Sequence, residues 1–412
     1  MIQLFRYAIE HGGEIKLLDG KFANSKGASN PSIVNYNGKY YMSFRSCEYS
    51  FFNFYDKCTY DNKKLSWYPM HIYNDIALNF LSTNFICEFD KEKLEVRNPI
   101  EIMKDQFKRD NIYNGAEDMR LWIDDEGKIA ANYSEFEPNN TVSMNFINFD
   151  ENFNVVRQKK CFVEQCEKNW MPISDKPCCF VRKAFDNITV LQDYDTLAHY
   201  GDIHAELKFR GSSQLCRYKD SYICVVHTCR IYANEDNAIV YKYFHKFIQT
   251  DLDYNIINES DWLVFTGMYI EFNCGMLIEN DEMILPVSLF DSVSFAIRLK
   301  MEHVISLIEN KNSPKTEIVQ NDELSNIILS STEESLPYKV DEYILKHADY
   351  NKAAAIACRT HLGSVEKDKD KRIMLYVKAL CDVKKFDIQM NTRYMHMLLG
   401  QDALRDHIDT FL

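Results

Sequence analysis

Five stretches of this 412-residue chain repeat one arrangement: a polar or small opening, an apolar alternating strand, a tight turn, and a second strand rich in Tyr, Phe or Val. They are "NPSIVNYNGKYYMSFRS" (30–46), "EDMRLWIDDEGKIAANYSEF" (117–136), "KNWMPISDKPCCFVRKAF" (168–185), "SSQLCRYKDSYICVVHT" (212–228) and "EFNCGMLIENDEMILPVSLFD" (271–291). Each carries a turn signal at its middle: Asn37 with Gly38, residues 124–127, residues 175–177, Lys219 with Asp220, and Asn280 with Asp281. A repeated hairpin constrains the whole fold, because a unit too small to bury its own apolar face must stack against its copies.

The hairpins start at 30, 117, 168, 212 and 271. Four strands with their turns need about 40–50 residues, the size of a propeller blade. The intervals after the first are near that size. The first is longer, so an insertion is expected between about 46 and 100, and residues 1–29 are expected to supply a strand that closes the ring. Helical periodicity is weak through 1–295. The predicted fold is therefore all-β, a five-bladed β-propeller over 1–300. A β-sandwich or two β domains are the alternatives.

After "SFAIRLK" the pattern changes. Residues 300–310 read as one short helix, and the polar stretch 311–337 as a linker or extended wrap, giving a connecting segment over 301–338. From 339 to 412 the period is helical, a small C-terminal α-helical module. That module either packs on the propeller or forms a protein-partner or oligomer contact.

The net charge of −13 argues against nucleic acid or an anionic membrane as the main partner, while leaving room for a local basic pocket. Thirteen cysteines without a CxxC pair fit reduced thiols better than zinc or a disulfide framework, so no metal is expected. No leader-like start and no apolar run of membrane-spanning length is present, so a cytoplasmic protein without a membrane span is expected.

Each hairpin has a polar cluster at a strand mouth: Arg45; Glu117, Asp118 and Arg120; Glu167, Lys168, Asn169 and Trp170; residues 210–214 with His227; Glu271 with Asn273. Singly, each is an ordinary solvated turn or structural ion pair. At equivalent points of a repeat they would converge on one axis, and converging charges in a concave site mark function.

"GAEDMRLW" (115–122) resembles the Gly-x-Glu-Asp-Pro-Arg motif of the five-bladed propeller superfamily of family 130 glycoside phosphorylases and hydrolases and the related β-mannosyltransferases. "EKNWMP" (167–172), "NPSIVNYNGKYYMSFR" (30–45), "FRGSSQLCRYKDSYICVVHT" (209–228) and "YIEFNCGMLIENDEMILPVSLFDSVSFAIRL" (269–299) are similar to further motifs of that superfamily, in the right order. Met119 stands where the motif has Pro, and Ser212 where it has Gly.

The resemblance implies inverting glycosyl transfer on β-linked mannose or a similar hexose. Asp118 would be the proton donor, its pKa raised by crowding with Glu117. Arg45, Glu117, Arg120, Lys168, Asn169, Trp170, His227, His245 and Glu271 would bind sugar or phosphate. No cofactor is implied, and inorganic phosphate or a sugar-1-phosphate would be the co-substrate of an oligosaccharide or polysaccharide. A hydrolase would need a second carboxylate to activate water, for which Glu271 and Asp291 are the candidates. A non-catalytic glycan-binding propeller is the remaining alternative. Trp170 either stacks on a sugar ring or belongs to the aromatic core.

Overall fold

The computed structural model describes residues 1–23, 27–47, 50–53, 59–60, 63–64, 67–70, 80–103, 113–136, 142–163, 168–184, 188–192, 209–233, 239–268 and 270–348. Contacts divide the chain into two compact units. One comprises Met1–Glu48, Ile72–Arg230 and Lys242–Tyr350; the other Tyr49–His71, Ile231–Tyr241 and Asn351–Leu412. In the second, the strands Ser50–Asn53 and Trp67–Met70 pair antiparallel, as do Thr59–Tyr60 and Lys63–Lys64. The expected C-terminal helices beyond residue 348 lie outside the described residues.

The larger unit is mostly β-sheet, and its sheets follow chain order. The first runs from Ser29–Tyr36 through Lys39–Cys47 and Phe80–Asp90 to Glu95–Ile102. Because these last two strands join the sheet, the interruption expected between 46 and 100 narrows to residues 48–79. The second sheet is Glu117–Ile123, Ile129–Phe136, Val142–Phe149 and Val155–Val163. Met171–Ile173, Lys176–Ala184 and Ile188–Gln192 form the third.

The fourth is built on the long strands Ser221–Ala233 and Ile239–Thr250, with Arg210–Gly211 and Cys216–Tyr218 pairing to the first of them. The fifth pairs Glu271–Phe272 and Leu277–Glu279 with Glu282–Leu289, and that strand with Val293–Lys300. Its outermost strand is Glu14–Leu17, antiparallel to Val293–Lys300 with Glu14 opposite Arg298. The N-terminal region thus supplies a strand to the last sheet.

Sheet contacts return to their start. Ser29–Tyr36 packs against Glu117–Ile123 on one side and Glu282–Leu289 on the other. Glu117–Ile123 meets Met171–Ile173, Lys176–Ala184 meets Arg210–Gly211, and Cys216–Tyr218 meets Leu277–Glu279. Separate apolar layers fill the gaps. Phe44, Phe85 and Ile284 lie between the first and fifth sheets; Val34, Ile86, Leu121 and Tyr133 between the first and second. Trp122, Phe146, Trp170 and Phe180 fill the next gap, and Met171, Leu215, Val226 and Ile248 the one after. Each large side chain buried this way contributes about 1.5–3 kcal/mol of transfer free energy.

Met119 belongs to the layer between the first and second sheets. An apolar residue fits there because its side chain faces that core, not the charged mouth beside it.

Two helical segments differ from expectation. Leu4–Glu10 is a helix with Leu4, Phe5, Ala8 and Ile9 buried; at seven residues it is too short to display a period. The stretch expected to be linker contains the helix Glu323–Ser330. Asp322 caps it by accepting a hydrogen bond from the Ser325 amide at 2.8 Å, and Leu324 and Ile328 are buried on the side that meets Leu4–Glu10. The expected short helix is Met301–Ile308, and Leu336–His347 follows with Pro337 in its first turn. Among the described residues no helix is long and apolar enough to cross a membrane.

Candidate active site

The innermost strands of the first two sheets open with the same irregularity. Ser29 pairs with Arg45 and the next pair is Ser32 with Ser43; Glu117 pairs with Ser134 and the next is Arg120 with Asn132. The left-handed residue inside each bulge is Asn30 (φ 51°) and Asp118 (φ 53°). Asn and Asp accept that conformation at lower cost than most residues. Gly115, three residues before Asp118, has φ 112°, and a Cβ there would lie 2.4 Å from the Ser82 carbonyl oxygen. This local geometry delivers Asp118 to Asn30, whose Nδ2 donates to Asp118 Oδ1 at 2.8 Å.

Charges close around that contact. Arg45 donates from Nη2 to Glu117 Oε1 at 2.7 Å and from Nε to Ser82 Oγ at 2.8 Å, and its Nη1 lies 3.7 Å from Asp118 Oδ1. Lys168 Nζ donates to Glu117 Oε2 at 3.0 Å and stands 3.7 Å from Asp118 Oδ2. Glu117 therefore bridges two cations. Asp118 is only 5% exposed. Burial alone would raise its pKa, but Lys168, Arg45 and Arg120, with the Asn30 amide, reverse the shift and hold the carboxyl below its ordinary range. This corrects the expectation of a raised pKa at Asp118, because the cations outweigh the crowding by Glu117. For Lys168 burial opposes the charge, yet Glu117 and Asp118 raise its pKa, so the ammonium is retained.

A second carboxyl reaches the same amide. Asn30 Nδ2 lies 3.5 Å from Asp291 Oδ1, and Asn30 Oδ1 accepts a hydrogen bond from Ser288 Oγ at 2.5 Å. Asp291 follows the fifth sheet's strand Glu282–Leu289, in a turn where both Phe290 (φ 57°) and Asp291 (φ 50°) are left-handed. Burial pushes its pKa up to about 6; Asp118 and Glu117 add to the rise, while Arg45 and Lys168 oppose it. Tyr243, which senses both Asp291 and Asp118, is held protonated, chiefly by burial.

The other candidates divide by surroundings. Arg120, 1% exposed, spends its guanidinium on the protein: Nε donates to the Ser212 carbonyl at 2.9 Å, Nη1 to the Asp118 carbonyl at 2.8 Å and Nη2 to Asn169 Oδ1 at 3.4 Å. It ties the second, third and fourth sheets together behind Asp118. Ser212 also bonds His227 Nδ1 through Oγ at 2.8 Å, so the serine at the motif's glycine position orients the imidazole. Burial first, then the neighbouring His245, Arg210, Arg120 and Lys168, hold His227 well below its usual pKa and therefore neutral. Arg210 stands opposite His227 in the ladder, exposed, with no ion pair among the described residues.

Glu271, His245 and Trp170 serve the interior. The fully buried Glu271 carboxylate accepts from the amides of Phe265, Thr266, Gly267 and Met268 and from Thr266 Oγ1, at 2.6–3.1 Å. Its two oxygens hold a loop, which leaves it unfit to activate water. His245 stacks on Phe265 with centroids 4.2 Å apart and bonds the Glu271 carbonyl, and burial lowers its pKa to about 3. Trp170, 3% exposed, packs on Phe146 in the core, not on a ligand-facing wall. Asn30, Ser82, Ser288 and Tyr243 join the cluster without having stood out in the sequence. The bulge shared with 117–120 is the signal that points to Asn30.

No family model matches the chain and no curated protein matches it. It is similar at low identity to several solved structures. One is the β-1,2-mannobiose phosphorylase of Listeria innocua in complex with β-1,2-mannobiose: 13% identity, TM-score 0.44, covering 72% of this chain and 94% of that one. A mannose phosphorylase of Leishmania mexicana in complex with phosphate gives 13% and 0.46, covering 71% and 89%. A GDP-Man-dependent mannosyltransferase of the same organism gives 10% and 0.46, covering 75% and 94%. At such identities and TM-scores, the activities in those names remain properties of those proteins.

Proposed function

We propose that the chain is a carbohydrate-active enzyme that carries out inverting glycosyl transfer on β-linked mannose or a similar hexose. Its larger unit would be a five-bladed propeller, a reading supported by five successive sheets, contacts that return to the first sheet, and an N-terminal strand in the last. The observation that carries the functional reading is the Asn30 amide between two aspartates, bonded to Asp118 at 2.8 Å and 3.5 Å from Asp291, beside Arg45, Glu117 and Lys168. Burying so many charges at strand mouths costs stability, and a fold retains such a cluster where chemistry uses it.

In this reading ionised Asp118 accepts hydrogen bonds from sugar hydroxyls and stabilises positive charge developing at the anomeric carbon. Inorganic phosphate or a sugar-1-phosphate would be the second substrate. Arg210, whose guanidinium no carboxylate occupies among the described residues, supports an anionic co-substrate. The engagement of Glu271 by five donors weighs against a hydrolase that would use it as base.

The test is a screen of sugar-1-phosphate and nucleotide-sugar donors against short manno-oligosaccharides, read as product formed. Turnover that needs phosphate or a sugar phosphate and collapses in Asp118→Asn is the expected result. Unchanged turnover in Asp118→Asn sinks the reading.

A further inference from the structure

We propose that Asp291 carries the transferable proton of this site, with Asp118 as its ionised partner across Asn30. The inference rests on the glycosyl-transfer reading and deepens it. Asp118 is surrounded: Oδ1 takes the Asn30 amide and faces Arg45, and Oδ2 faces Lys168. Asp291 receives one long contact, 3.5 Å from the same amide nitrogen, and has no cation within ion-pair distance among the described residues. It is also more open than Asp118. Ser288, donating to Asn30 Oδ1, turns the Asn30 amide nitrogen toward both carboxylates, and the shorter bond goes to Asp118.

The consecutive left-handed residues Phe290 and Asp291 fix the second carboxyl at the site without spending its oxygens on the turn. Among the described residues, the charged and titratable groups facing Asp291 include Arg45, Glu117, Asp118 and Lys168, with Tyr243 and Cys274. Neighbouring carboxyls pushed apart in this way divide into one that stays ionised and one that holds a proton near neutral pH, and the value of about 6 at Asp291 agrees.

The proton balance closes. As the bond between the anomeric carbon and the glycosidic oxygen breaks, Asp291 gives its proton to that oxygen, which leaves as a hydroxyl. An oxygen of hydrogen phosphate forms the new bond to the anomeric carbon. The resulting sugar phosphate returns its proton to Asp291, restoring the acid. In the reverse direction Asp291 takes the acceptor's hydroxyl proton.

Two measurements on the full chain decide the matter. The first is a carbon-13 carboxyl titration of aspartate-labelled protein. A signal with midpoint near 6 is expected, absent in Asp291→Asn and shifted downward in Asp118→Asn, where a neighbouring negative charge is gone. A midpoint near 6 that survives Asp291→Asn and disappears in Asp118→Asn overturns the assignment. The second compares an alkyl glycoside, whose leaving group needs a proton, with the glycosyl fluoride of the same sugar, which does not.

Asp291→Asn is expected to slow the alkyl glycoside by about 100- to 10,000-fold and the fluoride by less than about tenfold. Asp118→Asn should slow both alike. Equal losses for Asp291→Asn on the two substrates overturn the role. Wild-type protein inert toward every glycoside and sugar phosphate, with the titration near 6 present, overturns glycosyl transfer and the catalytic role together while locating the proton at Asp291.

Discussion

Asn30 and Asp118 occupy the same position in two successive hairpins. Each is the left-handed member of a bulge at the mouth of an innermost strand, and one donates to the other at 2.8 Å. A repeat that kept a carboxylate at both places would set like charges in contact. Asn30→Asp keeps the shape and the tolerance for left-handed backbone but replaces a donor with a fourth carboxyl group beside Glu117, Asp118 and Asp291. It is expected to destabilise the protein by about 2–4 kcal/mol at pH 7, with a smaller deficit at pH 4, measured by urea unfolding at both values.

The two carboxylates affect stability with opposite signs. Asp118 has a folded pKa below its unfolded one, so its ionised form adds stability that is present above about pH 4 and lost as pH falls through the folded value. Asp291 is raised to about 6, so its folded state keeps the proton longer, and stability declines as pH rises from about 4 through 6. Asp291→Asn should therefore be more stable than wild type at pH 8, on the order of 1–3 kcal/mol, and the two should converge near pH 4. Asp118→Asn should be less stable at pH 7, its deficit shrinking below pH 4. Thermal melts across pH 3.5–8 would show the two trends diverging.

Gly115 is required by position. Gly115→Ala would force a left-handed side chain to within 2.4 Å of the Ser82 carbonyl, a backbone atom that has little room to move. A loss of about 2–4 kcal/mol is expected. Because the displaced strand carries Glu117 and Asp118, donor turnover per folded molecule should fall as well, checked by combining unfolding curves with an activity assay.

Glu271 is predicted to matter for the fold. Four of its five bonds go to Oε1 and one, from the Phe265 amide, to Oε2. Glu271→Gln can keep the oxygen at the first position and should cost about 1–2 kcal/mol, whereas Glu271→Ala orphans buried amides and should cost about 3–5 kcal/mol. A flat response of the unfolding midpoint to both changes would contradict this role.

What the sequence discloses and what it hides divide along chain distance. The hairpin turned by Asn37 and Gly38 is legible because its signal is local, and both residues have positive φ. The cluster of Glu117, Asp118 and Arg120 is legible as an odd placement of charge. The use of Arg120 is not, since its strongest outside acceptor is the Ser212 carbonyl, 92 residues away. Asp291 stands out only as a possible second carboxylate, because the amide that gives it meaning lies 261 residues earlier. Trp170 and Glu271 invite a ligand reading by motif. Aromatic packing on Phe146 and an amide-lined loop at 265–268 occupy them instead.

The pairing of Glu14–Leu17 with Val293–Lys300, reinforced by an ion pair between Glu14 and Arg298, joins residues 284 positions apart. During synthesis at 5–20 residues per second, the early strand waits roughly 15–60 s for its partner. Ile15 and Leu18, buried in the finished protein, stay wet for that interval, and an unpaired backbone edge is open to other chains. The last sheet thus assembles only after translation has passed residue 300, which makes the growing chain a candidate for chaperone protection and ties the order of folding to the order of synthesis.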